Sequence, residues 1–143
     1  MQLSEIMTAH PEVIQPDTVL QEAACLMRDL DVGAIPVCEG NPLQGMLTDR
    51  DITVRATAEG RNPWSTTASE VMTMDVIYCF EDQNEEDAAD LMERYQLRRL
   101  AIVNRDKQLS GIVSIGDLFA KTGRDRLAGD ALAGVSQPAR PTR

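Results

Sequence analysis

The apolar positions of this chain follow two rhythms that alternate along its length. Leu20, Ala23, Ala24, Met27 and Leu30 recur at three- and four-residue spacing, which is one face of a helix. Thr18 followed by Gln21 is a capping-box pattern that predicts the start of that helix, and Gly33 predicts its end. Ala34 to Cys38 and Leu43 to Leu47 are short apolar runs around the turn sequence E-G-N-P at 39–42, so two strands are expected there. Before the helix, Glu12 to Gln15 predicts a short strand closed by Pro16, and Ser4 a cap for a helical turn ending near Met7. After the strands, Asp49 to about Ala58 predicts a second helix.

The same order then returns. A strand is expected over Val76 to Cys79, and a helix over Glu85 to Tyr95 with Ala88, Leu91, Met92 and Tyr95 as its stripe. Strands over Leu100 to Asn104 and Leu109 to Val113 and a helix over Ile115 to Lys121 complete the series. The residues repeat as well as the pattern. S-E-I-M-T at 4–8 answers S-E-V-M-T at 69–73, and E-A-A-C-L-M at 22–27 answers D-A-A-D-L-M at 87–92, both offset by 65. G-M-L-T-D-R-D at 45–51 answers G-I-V-S-I-G-D at 111–117, offset by 66. Three anchors in one order identify a tandem duplication.

Each copy predicts a mixed α/β (α+β) unit, β-α-β-β-α, too small to bury its apolar surface alone. Two such units packed sheet against sheet are therefore expected. The boundaries read as 1–64 for the first copy with its linker, 65–123 for the second, and 124–143 for a C-terminal tail. Trp64, the one tryptophan, is expected to pack over the junction between copies, with stacking on a ligand as the alternative.

The repeated glycine, two apolar residues, hydroxyl residue and aspartate carry the chemistry. The apolar pair ends a buried strand. Thr48 or Ser114 then sits at a strand-to-helix corner, where free backbone N–H groups attract an anion. Asp51 or Asp117 follows in the first helical turn, and a carboxylate can accept two hydrogen bonds from a vicinal diol. That combination suits a ribose phosphate. Simple helix capping by Thr48-x-x-Asp51 and Ser114-x-x-Asp117 is the competing reading.

Charge and composition narrow the classes. The 143 residues carry a formal charge of −9, which disfavours duplex nucleic acid as a partner. Aromatics are 3%, so the core must be aliphatic. No apolar run reaches the length of a membrane span, and the first eleven residues lack a signal-peptide pattern. Cys25, Cys38 and Cys79 are an odd count without C-x-x-C spacing, so buried packing, reduced thiols and a cytoplasmic location are expected. His10 is the one histidine and has no partner at a telling spacing, so neither a catalytic set nor a metal site is expected. The acidic run Glu81 to Asp90 reads as a helix start.

Both halves resemble cystathionine-β-synthase (CBS) domains, and the whole is similar to stand-alone bacterial proteins made of one CBS pair. The resemblance spans roughly residues 2 to 122. It rests on E-I-M-T and E-V-M-T, the E-A-A-x-L-M helix, G-A-I-P-V at 33–37, R-R-L-A-I-V at 98–103 and the two G-x-x-[TS]-x-x-D segments. It implies a pseudo-twofold pair, the Bateman module, with two clefts between the repeats for AMP, ADP, ATP or S-adenosylmethionine. In such modules the aspartate holds the ribose, which maps to Asp51 and Asp117, and the hydroxyl residue maps to Thr48 and Ser114. The adenine slot maps to the backbone near Val13, Ile35, Ile77 and Leu100. Basic residues before the second strand reach the phosphates across the repeats, which maps to Arg98 and Arg99. On that crossover the cleft of Thr48 and Asp51 receives both arginines and the cleft of Ser114 and Asp117 neither.

The expected function is thus a non-enzymatic regulatory sensor. An adenosine nucleotide is its ligand, no cofactor is required, a homodimer is its assembly, and the regulated protein is unidentified. Ile52, Val54, Leu118 and Phe119 are the expected dimer surface. A dimerisation module with vestigial clefts and a thiol redox sensor are the alternatives.

Overall fold

The computed structural model describes residues 1–122; the tail assigned to 124–143 lies outside the described residues. The chain forms α1 (Leu3–Ile6), β1 (Thr8–Ala9), α2 (Leu20–Leu30), β2 (Ala34–Cys38), β3 (Leu43–Thr48) and α3 (Asp49–Asp51), which runs on as a π-helical stretch, Ile52–Thr57. Then come α4 (Ala68–Val71), β4 (Tyr78–Phe80), α5 (Glu85–Tyr95), β5 (Arg99–Val103), β6 (Leu109–Ser114) and α6 (Ile115–Thr122). Both copies follow the expected β-α-β-β-α order, although the first strand of copy one is reduced to a single bridge between Ile14 and Val37.

Three helix ends differ from expectation, two of them N-terminal. A capping residue must sit in extended backbone just outside the helix. At α1 that residue is Gln2, whose N–H donates to the Glu5 carboxylate at 2.8 Å, and Ser4 lies inside the first turn. At α2 it is Val19; Thr18 Oγ1 instead accepts from the Gln15 N–H at 3.1 Å and closes the preceding turn. The same helix stops at Asp31, in the left-handed region at φ 54°, before Gly33 is reached. By contrast α5 has the expected bounds, because Asn84 Oδ1 accepts from both the Glu86 and Asp87 N–H groups at 3.0 Å.

The residues gather into two compact units. Among the described residues, one holds Met1–Pro11, Ile77–Asp106 and 110–122; the other holds Glu12–Val76 with Lys107–Leu109. The lead segment of each sequence repeat belongs to the unit of the other. In the first unit the sheet runs β1-β6-β5-β4, with Thr8 opposite Ile112 in antiparallel register and Cys79 opposite Ile102 in parallel register. In the second, β2 and β3 pair antiparallel with Ile35 opposite Leu47, while Ile14 bridges to β2 and Thr73 to Met46 of β3. The lead segments make equivalent bonds: Leu3 N–H to Gln83 O at 2.7 Å, and Ala68 N–H to Thr18 O at 2.8 Å.

Each unit has its own aliphatic core. Leu3, Ile6, Cys79, Met92, Leu100, Ile102, Val113 and Leu118 are buried together in one; Ile14, Leu20, Met27, Ile35, Val37, Leu47 and Val71 in the other. Burying each large side chain contributes roughly 1.5–3 kcal/mol. Leu20, Met27 and Met92 are buried as expected, but Leu91 is only partly so, and Ala24, Leu30 and Tyr95 of the helix stripes face solvent. The motif glycines mark where the lead segments sit. A Cβ on Gly111 would lie 2.6 Å from Met7 Sδ and 2.7 Å from the Thr8 carbonyl oxygen. A Cβ on Gly45 would lie 2.7 Å from Met72 Sδ and 2.8 Å from the Thr73 carbonyl oxygen. Only a residue without a side chain allows this approach.

Candidate ligand-binding corners

At the end of β3, Thr48 and Asp51 cap α3 reciprocally. The Asp51 N–H donates to Thr48 Oγ1 and the Thr48 N–H donates to Asp51 Oδ2, both at 3.0 Å. Asp51 is 7% exposed and has further partners: Thr73 Oγ1 donates to Oδ2 at 3.4 Å, and Arg55 Nε lies 3.7 Å from Oδ1. Arg55 also extends Nη1 to the carbonyl oxygens of Val71 and Met72, at 3.4 and 3.3 Å. Arg55 and Thr73 were missed in the sequence reading. The i,i+4 spacing of Asp51 and Arg55 was a usable signal; the reach to Val71 and Met72 depends on tertiary structure.

At the end of β6 the same frame recurs. The Ser114 N–H donates to Asp117 Oδ2 at 2.9 Å and the Asp117 N–H donates to Ser114 Oγ at 3.0 Å. Asp117 Oδ1 has no partner among the described residues, and the carboxylate is only partly buried. Arg98, Arg99, Ser114, Ile115 and Gly116 together line an open cavity of about 370 Å³. The Ile115 N–H donates to the Arg98 carbonyl at 3.0 Å, so the strand start carrying the arginines is fixed beside the helix start. Neither arginine has an acidic partner among the described residues. The crossover expectation gave the Ser114 segment neither arginine; both stand beside it within one unit. They do so because β5 and β6 are neighbours in that unit's sheet, so the start of β5 meets the end of β6.

The residues mapped to an adenine slot lie along the sheets. In one unit Val13 is exposed, next to the bridge of Ile14, and Ile35 is buried on β2. In the other, Ile77 immediately precedes the Tyr78–Ala101 pair, which puts it alongside the buried Leu100. The side chains of Ile35 and Leu100 belong to the cores, so only their backbone can face a ligand. Trp64 is 68% exposed, against the expectation that it packs over a junction.

Burial pushes the Cys79 thiol up to about 11, with Asp87 adding to the shift, and burial raises Cys38 as well. Cys25 is partly exposed and its Sγ accepts from Gln21 Nε2 at 3.1 Å. No group of three or more His, Cys, Asp or Glu side chains among the described residues could hold a metal ion. No helix among them is long and apolar enough to cross a membrane.

A duplicated β-α-β-β-α frame with a hydroxyl–aspartate corner in each copy defines a tandem-repeat module. The CBS domain profile matches residues 3–56 and again 68–122, so the chain belongs to the CBS domain family. The CBS domain-containing protein YhcV of Bacillus subtilis is 43% identical over 134 residues, covering 94% of each chain. The crystal structure of Hypoxic Response Protein I of Mycobacterium tuberculosis, with two coordinated zinc ions, aligns with a TM-score of 0.76 and 33% identity. It covers 82% of this chain and 96% of that one. The same fold occurs in CBSX2 in complex with AMP, at 23% identity and TM-score 0.75, covering 87% of this chain and 98% of that one. It occurs again in the CBS domain pair of MJ0100 with 5′-methylthioadenosine and S-adenosylmethionine, at 24% identity and TM-score 0.74, covering 86% and 100%.

Proposed function

We propose that the chain is a non-enzymatic, cytoplasmic regulatory module that binds an adenosine-type nucleotide, with its main site at the Ser114 corner. One observation carries the reading. Two arginines without acidic partners among the described residues share an open cavity with a hydroxyl residue, and the aspartate one turn on keeps a carboxylate oxygen unused by the cap. Arginine forks suit phosphate, and a free carboxylate oxygen suits a ribose diol. That proteins of the same fold bind AMP or S-adenosylmethionine is supporting analogy. Binding biases a conformational equilibrium that a partner protein reads.

The test is thermal unfolding with AMP, ATP and S-adenosylmethionine, because a ligand bound only by the native state raises the midpoint. A midpoint unmoved by all three, after removal of co-purified ligand, leaves the assembly reading in its place. That reading has an observation of its own, the exposed Val54 and Phe119 at 45% and 55%. Of the other expected dimer residues, Leu118 is fully buried and Ile52 packs on a core, so neither is presented to a second chain. We propose a homodimer through the exposed pair. Sedimentation should show twice the 15.7 kDa chain mass, and Phe119→Asp should return it to one.

A further inference from the structure

We infer that Asp49 makes the two corners selective by charge: a phosphate-bearing ligand is accepted beside Ser114 and refused beside Thr48. The inference rests on the nucleotide reading above and adds a specificity residue to it.

The backbone frames are equivalent. The Asp49 N–H donates to the Gly33 carbonyl at 2.9 Å where the Ile115 N–H donates to the Arg98 carbonyl at 3.0 Å. What fills the frames differs. In copy one, Asp49 Oδ1 accepts from the Arg50 N–H at 2.8 Å, and Oδ2 lies 3.1 Å from the point where a side chain on Gly33 would begin. A carboxylate thus already occupies the place an incoming anion would take. In copy two, Ile115 has no carboxylate, Gly116 has no side chain, and arginines stand where copy one has Gly33 and Ala34. Gly33, Ala34, Thr48, Asp49 and Arg50 sum to zero formal charge; Arg98, Arg99, Ser114, Ile115 and Gly116 sum to two positive charges. Arg50 cancels Asp49 in number only, since it is the Arg50 backbone N–H that the carboxylate holds. A phosphate beside Thr48 must displace Asp49 from that N–H and then remain next to it. An uncharged adenosine meets no such opposition.

Isothermal titration of the full chain with ATP and with adenosine tests this. The parent should bind one ATP per chain. Arg98→Ala with Arg99→Ala should weaken ATP by about tenfold or more and adenosine by no more than about threefold. Asp49→Asn keeps the shape and loses the charge; it and Asp49→Ala should each admit a second ATP per chain. Two ATP per chain in the parent, or one ATP per chain in both Asp49 variants, overturns the inference while leaving nucleotide binding intact. Absence of binding by both ATP and adenosine overturns the nucleotide reading itself, and this inference with it.

Discussion

At the Thr48 corner the aspartate is enclosed: a backbone N–H, a threonine hydroxyl and an arginine all address the Asp51 carboxylate. At the Ser114 corner the corresponding aspartate makes only the capping bond among the described residues, and its partner Ser114 lines an open cavity with two arginines. The two capping bonds agree to within 0.1 Å. Duplication has therefore preserved the hydrogen-bonded frame and let the charges around it diverge. A frame of this kind cannot change piecemeal, because each half of a reciprocal cap satisfies a donor that the other half leaves open. Side chains that only border the frame are free to change sign.

The largest expected effect tests what the two regions share. Gly45→Ala and Gly111→Ala each place a Cβ against a methionine sulfur and a backbone carbonyl, so each should lose about 2–3 kcal/mol in urea unfolding. Losses differing by more than half would mean that the frames are not equivalent. Next comes a difference in ligand affinity. Asp117→Ala should weaken nucleotide binding by about tenfold or more, and Asp51→Ala by less, since Asp51 is already committed within the protein. The crossover assignment of both arginines to the Thr48 cleft predicts the opposite order, and equal losses in titration would mean that neither corner is favoured.

A comparable but pH-dependent effect separates the cores. Below pH 9 the Cys79 thiol keeps its proton in both folded and unfolded chains, so it contributes no pH dependence. Between 9 and about 11 the unfolded chain releases that proton first, and stability should fall by at most about 3 kcal/mol. Cys79→Ala should flatten that limb of the curve; an unchanged slope would assign it to other groups. The smallest effect concerns capping alone. Without ligand, Asp51→Ala should cost about 1–2 kcal/mol and Asp117→Ala about 1 or less, because only the former also strips partners from Arg55 and Thr73. Thermal unfolding of the two variants side by side would show the order.

Much of the fold was legible because its signals are local. The bounds of β2 and α5 follow from an apolar run and from a helical stripe behind an acidic start, both readable within a few residues. The hydroxyl–aspartate pairs were legible for the same reason, as a three-residue spacing. The exchange of lead segments was not. Met7-Thr8 and Met72-Thr73 are chemically the same, and they sit alike against Gly111 and Gly45, so residue types contain no information about which pairs form. Asp49 escaped notice because its role depends on a carboxylate folding over Gly33, a contact between positions sixteen apart. Arg98 and Arg99 were identified as candidates, but their neighbours are set by the strand order, which the spacing does not encode.

The exchange of lead segments also bears on ancestry. A single-repeat chain built on this plan has a sheet edge and a core that its own first dozen residues do not complete. It closes only when a second copy donates that piece and receives one in return, which is a domain-swapped dimer. Joining two such copies head to tail turns an exchange between molecules into one within a molecule. The linker at 59–67 then fixes the stoichiometry of the pair, and each half is released to accumulate its own substitutions at the corners.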